Sequence, residues 1–254
     1  MTEPNQTVTF DRVTEIEAEE PTLIEGLPGQ GLVAAIAVDL VTDQLGLEDH
    51  GNVVSDAFPP VTSFEDGRVR DLVRVYAGAD PSVMTLQSDV ALPPAAFNPL
   101  ASSILEDLAP EFDRAIFLAG STAESEDTIG NVSGVATDEA IAAQIRAEDI
   151  PLADGRGLIG GVTGALANAC YHAEVPAAIF VVETHPFLPD PTAARSVIET
   201  ALEPLVDFDI DTTELEEQAE QIREQMEQIA AHYRQMADSG RGEAGEPEGP
   251  TMFQ

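Results

Sequence analysis

Short β-forming runs alternate with longer helical stretches from residue 22 to residue 205, and that alternation sets the fold class. The runs are Thr22-Leu23-Ile24, Asn52-Val53-Val54, Arg68 to Tyr76, Val83-Met84-Thr85-Leu86, Ala115-Ile116-Phe117-Leu118 and Ala178-Ile179-Phe180-Val181-Val182. Several are apolar at every position, as strands covered on both faces must be. Helices are predicted between them, over Leu32 to Leu45, Pro99 to Leu108, Asp138 to Ala147, Gly164 to His172 and Pro191 to Leu205. Strand and helix in turn specify an α/β domain with helices packed on a central sheet. Arg68 to Tyr76 alternates in polarity and predicts an edge or antiparallel strand, so the sheet is expected to be mixed, with most strands parallel.

Charge then restricts where such a domain is stable. The chain of 254 residues carries 47 Asp plus Glu against 11 Lys plus Arg, a formal net charge of −36, and all of its cations are arginine. Repulsion on that scale is tolerated when concentrated salt shortens the screening length to about 3 Å at 1 M. The sequence therefore reads as that of a salt-loving organism. Clustered cations are what phosphate recognition requires, so nucleic acid and anionic membranes are not expected partners. No apolar run approaches the roughly 18 residues of a membrane span, and the acidic amino terminus lacks the basic and apolar regions of a signal peptide. A soluble cytoplasmic protein is the expectation. A single cysteine, Cys170, leaves no disulfide framework and no cysteine-based zinc cluster.

Three glycine-rich turns follow strands: Gly26-Leu27-Pro28-Gly29-Gln30-Gly31, the stretch from Gly120 to Gly134, and Gly155 to Gly164. A glycine loop between a strand and a helix amino terminus can cradle an anion, which makes Gly26, Gly29 and Gly31 a candidate ligand turn. The alternative is a tight turn that packs helix on sheet. The spacing does not fit a dinucleotide loop, and a Walker loop needs a lysine that this chain lacks. His50, His172, His185 and His232 show no metal-ligand spacing, so no metal or cofactor is expected. Of the four, His185 follows an apolar strand, where α/β sites often lie. Ser121 and Ser133 lack a nucleophile elbow, and Glu124, Glu126 and Asp127 read as a solvated acidic loop. No catalytic set emerges.

The carboxy-terminal part has a different character. Leu215, Ala219, Ile222, Met226, Ile229, Tyr233 and Met236 fall in alternating steps of four and three, which places them on one seam of a helix. Such a seam packs either on the chain's own domain or on another subunit, and the second is the favoured expectation. After Asp238, residues 239–250 contain no apolar residue larger than alanine and read as a disordered tether. Apolar residues return only at Met252-Phe253-Gln254, where a partner can capture side chains and the terminal carboxylate together. The expected division is an α/β domain over 1–211, an amphipathic helix over 212–238 and a tether over 239–254.

Four segments taken in order carry a resemblance to a known family. Leu23 to Ala34 (Leu-Ile-Glu-Gly-Leu-Pro-Gly-Gln-Gly-Leu-Val-Ala), Val132 to Thr137, Gly160 to Leu166, and Glu183 to Ala194 together resemble the archaeal proteasome assembly chaperone family related to the eukaryotic chaperone PAC2. The resemblance implies a three-layer α/β/α fold, similar to purine nucleoside phosphorylases and related hydrolases but without their catalytic set, and a haloarchaeal member of the family. It implies homo-oligomers that assist proteasome assembly or dock on the α ring. Proteasome-docking proteins end in a hydrophobic residue, tyrosine and any residue. Met252, Phe253 and Gln254 match with phenylalanine for tyrosine. The expected function is an assembly chaperone or non-ATPase docking factor that binds 20S α subunits through the tail. The alternative is a phosphorylase-like or hydrolytic enzyme acting on a small metabolite.

Overall fold

A computed structural model describes residues 8–16 and 18–224 of the chain. Ten strands occur along it: β1 (Val8–Arg12), β2 (Thr22–Gly26), β3 (Glu48–Ser55), β4 (Ser63–Glu65), β5 (Arg68–Arg70), β6 (Val73–Ala79), β7 (Ser82–Ser88), β8 (Arg114–Thr122), β9 (Val132–Ala136) and β10 (Ala177–Thr184). The helices are α1 (Val33–Gln44), α2 (Pro94–Ser103), α3 (Glu139–Ala147), α4 (Gly161–His172), α5 (Pro191–Val197), α6 (Glu203–Val206) and α7 (213–224).

Eight strands form one mixed sheet in the order β1-β3-β6-β7-β2-β8-β10-β9. Its centre, β7-β2-β8-β10, is parallel, and the antiparallel strands flank it. The parallel strands are the continuously apolar ones, because helices cover both of their faces. Successive residues therefore feed opposite cores. On β8, Ala115 and Phe117 pack with α2 and α4, whereas Ile116 and Leu118 pack with α1, α3 and α5. The result is a three-layer α/β/α arrangement.

Local chemistry explains most boundaries. Asp138 accepts from the amide of Ile141 and caps α3, and Asp190 accepts from Ala193 and caps α5, with Pro191 in the first turn. Three expectations shift. The run from Arg68 to Tyr76 divides at Asp71-Leu72 into β5, half of a two-stranded hairpin with β4, and β6, an interior antiparallel strand. Arg74 makes that division firm: its buried guanidinium meets Asp89 at 2.8 Å through both terminal nitrogens and the Asp71 carbonyl at 2.8 Å. Helix α2 begins at Pro94 rather than Pro99 and accommodates Pro99 inside it. Residues 132–136, read as part of a glycine-rich turn, form the edge strand β9, where Gly134 leaves room for Ile145 of α3.

Candidate functional site

The chain reverses direction across the sheet at β2. From β2 it passes through α1 towards the β3-β6-β7 side, and from β7 it returns through α2 to β8 on the other side of β2. Loops part at such a switch point and leave a crevice beyond the strand carboxyl ends. Here the crevice is a half-open cleft of about 870 Å³. All three glycine-rich turns reach it, through Gly29 and Gln30, through Gly120 and Ser121, and through residues 153–161.

The turns differ in what their glycines do. A side chain at Gly26 would lie 2.6 Å from the Val38 Cβ. Gly31 has φ +66° and would drive a side chain into Thr184, and at Gly120 it would strike the Gln30 carbonyl. Those glycines are required by the chain's own packing. The candidate ligand turn is thus a helix-on-sheet turn at Gly26 and Gly31, and Gly29 alone of the three lines the cleft. By contrast, side chains added at Gly155, Gly157, Gly160 and Gly161 would meet nothing within 4 Å.

Glu25 joins the first turn to the third. It is the penultimate residue of β2, is fully buried, accepts from the Leu27 amide at 3.2 Å, and accepts at 3.3 and 3.2 Å from the Thr163 hydroxyl in the first turn of α4. Burial raises its carboxyl to about 8, against smaller opposing effects of backbone and Thr163 hydrogen bonds. Near neutral pH the group is mostly protonated, so it can hold the cleft floor without an isolated buried charge. Sequence reasoning missed it. An isolated acid inside an apolar strand run was the available signal.

The other candidates serve local structure. The His185 Nδ1 accepts from the Phe187 amide at 3.3 Å, and the His185 amide donates to Asp190 at 2.8 Å. His50 is buried against Glu111 at 3.0 Å, and His172 lies edge-on to Tyr171. No described histidine is hydrogen-bonded to a serine, threonine or cysteine. Ser125 and Thr128 form a capping box beside Glu126 and Asp127, and burial pushes the Cys170 thiol up to about 11, which keeps it inert. Among the described residues, no group of three or more His, Cys, Asp and Glu side chains could hold a metal, and no helix is long and apolar enough to cross a membrane.

In the carboxy-terminal helix, Leu215 is buried in the core formed with α1, α3 and α5, so at this position the seam packs on its own domain rather than on a neighbour. Ile222 is half-buried. Met226, Ile229, Tyr233 and Met236 of the seam, His232, and the terminal Met252, Phe253 and Gln254 lie outside the described residues. Thr212 bonds Glu199 at 2.7 Å and Glu216 meets Arg195 at 3.5 Å, so α7 runs antiparallel to α5. That course returns it towards the edge at which β2, β8 and β10 end.

Residues 23–230 match the PAC2 family over most of the chain. The chain belongs to the PAC2 family. Among solved structures, this PAC2 member is similar to Pyrococcus furiosus PbaA, an archaeal homolog of proteasome-assembly chaperone, with TM-score 0.78 and 26% identity over 92% of this chain and 95% of that one. It shares the fold of P. furiosus PbaB, an archaeal proteasome activator, with TM-score 0.80 at 19% identity over 88% and 99% of the two chains. A curated relative, the uncharacterized protein MJ0106 of Methanocaldococcus jannaschii, is 27% identical over 92% of this chain and 95% of its own length.

Proposed function

We propose that this PAC2-family chain is a cytoplasmic proteasome assembly chaperone or non-ATPase docking factor. In this reading it acts as a homo-oligomer and binds the 20S α ring through Met252-Phe253-Gln254. The observation that carries the reading is the likeness to PbaA along 92% of the chain, joined to a terminal sequence of hydrophobic residue, aromatic residue and carboxylate. Two physical points support it. Helix α7 runs antiparallel to α5, so its described residues, 213–224, head towards the strand-end edge of the domain. The dozen or so residues after Asp238 can then span on the order of 20 Å as a flexible chain.

Burial of one aromatic side chain contributes roughly 1.5 to 3 kcal/mol, and the phenolic hydroxyl that Phe253 lacks would add about 0.5 to 1.5 kcal/mol. A single tail is therefore weak. Several tails on one oligomer raise one another's effective concentration and can strengthen binding by about 10² to 10⁴. The seam residues Ile222, Met226, Ile229, Tyr233 and Met236 would extend contact between subunits.

The test is surface plasmon resonance on purified α rings at high salt. Deleting Met252 to Gln254, changing Phe253→Ala, or appending one residue after Gln254 should each abolish or strongly weaken binding while melting temperature and oligomer mass stay constant. Phe253→Tyr should preserve or strengthen it. Undiminished binding by the deletion variant would refute the tail as the docking element.

A further inference from the structure

The cleft at the strand ends has a property that neither its shape nor the tail accounts for. In a chain with 47 acids, residues 26–38, 90–105 and 155–173 contain none, and all three stretches contribute to its walls. Among the described residues that line it, Asp154 is the sole acid, and no arginine or histidine stands with it. Glu25 bonds the lining residue Thr163 but is mostly protonated near neutral pH, so it adds little charge to the floor.

What lines the cleft is apolar and aromatic. Phe97 of α2 and Tyr171 of α4, two helices packed on each other, contribute aromatic side chains beside Leu92 and Ile159. Tyr171 is 59% exposed, and its hydroxyl has no hydrogen-bond partner among the described residues. Nor has the Asn168 amide, which lines the cleft three residues earlier on the same face of α4. The volume of about 870 Å³ lies within the roughly 300 to 1,000 Å³ of clefts that hold small molecules. Its place, where the strand order reverses, is where open α/β sheets bind them.

We propose that this cleft is a binding site for a small, planar, uncharged organic molecule, whose apolar body packs on Phe97 and Tyr171 and whose polar edge meets Asn168 and the Tyr171 hydroxyl. Charge selects the class. An anion would lose its hydration in the cleft with no lining cation to replace it, which is costly for an unpaired charge. A cation would be drawn to the acid-rich remainder of a molecule of net charge −36. Planarity follows from the two aromatic side chains, because their faces and edges favour a flat π-system beyond the area it buries. The same argument sets aside the chain's own terminus as occupant, since Gln254 would bring a carboxylate into a cleft without a cation.

This site goes beyond the docking reading and does not depend on it. The experiment titrates the full chain with N-phenylnaphthylamine, a planar uncharged probe that fluoresces on apolar burial, and with its sulfonated counterpart, anilinonaphthalene sulfonate. In about 2 M KCl screening acts over only on the order of 3 Å, so the sulfonate reports the cleft rather than the acidic surface as a whole. The uncharged probe should bind saturably, one per chain, and the sulfonate at least about tenfold more weakly. Tyr171→Ala, at an exposed position, should weaken the uncharged probe about fivefold or more, and Phe97→Ala on the other helix should do the same, with thermal melts verifying that each variant is folded. Phe187→Ala removes an aromatic side chain that is 88% exposed outside the cleft and should leave binding unchanged. Four outcomes would each overturn the proposal: no saturable binding, a sulfonate that binds as tightly as the uncharged probe, undiminished binding by folded Tyr171→Ala and Phe97→Ala, or an equal loss in Phe187→Ala. Two more would overturn it by naming another occupant. Tighter probe binding after deletion of Met252 to Gln254 would assign the cleft to the tail, and tighter binding on dilution of the protein would assign it to a second copy.

Discussion

Two turns of this protein look alike in sequence and do opposite work. Gly26-Leu27-Pro28-Gly29-Gln30-Gly31 and Gly155-Arg156-Gly157-Leu158-Ile159-Gly160-Gly161 are both rich in glycine, but the first joins β2 to α1, whereas the second, expected to follow a strand, lies between α3 and α4. In the first, Gly26 and Gly31 clear space for Val38 and Thr184 inside the same chain. In the second, four glycines clear space for nothing in the chain. Glycine in a turn therefore has two distinct physical origins, close packing within the molecule at Gly26 and Gly31 and a left-handed backbone at Gly155 and Gly161, where φ is +73° and +71°. Glu25 ties the two together through Thr163.

The largest expected effect tests the packed turn. Gly31→Val would impose a branched side chain at φ +66° and drive it into Thr184, whose hydroxyl bonds Asp190 at 2.9 Å. A loss of about 3 kcal/mol or more is expected, seen as a fall of roughly 10 °C in melting temperature. A variant that melts with wild type would break the comparison on this side.

The link between the turns should be visible in pH dependence. The Glu25 carboxyl has a folded value of about 8 against an ordinary 4.5, so the folded state binds the proton more tightly than the unfolded state. Its contribution is complete below about pH 4.5 and is lost as pH rises through 8, on the order of a few kcal/mol. Glu25→Gln keeps a neutral group there. Its melting temperature relative to wild type should climb between pH 5 and 9, and a difference constant across that range would mean that Glu25 is not held protonated.

The smallest effect belongs to the bare turn. Gly157→Ala and Gly160→Ala add a methyl group to open space, without a left-handed φ at either position. Differential scanning calorimetry at a concentration low enough to keep the chain dissociated should place both within about 2 °C of wild type, since a change confined to exposed backbone moves stability by about 0.5 kcal/mol or less. A loss comparable to that of Gly31→Val would show that this turn too is packed within the chain.

The sequence by itself determined the α/β class, the four central strands and most of the helices. It could do so because a strand covered on both faces has to be apolar at every position, and the β2, β8 and β10 runs are readable for that reason. The edge strands β1 and β9 were illegible: one is covered only in part, through Val8 and Phe10, and the other carries a glycine at its centre. Only the tertiary structure decided what each glycine is for, because the partners Val38, Thr184 and Gln30 are near in space for some turns and absent for others. It also decided that Leu215 packs at home, and that three acid-free stretches far apart in the chain close around one cleft. Periodicity reports which residues must be covered. What covers them depends on contacts between distant segments, and a linear pattern does not contain those.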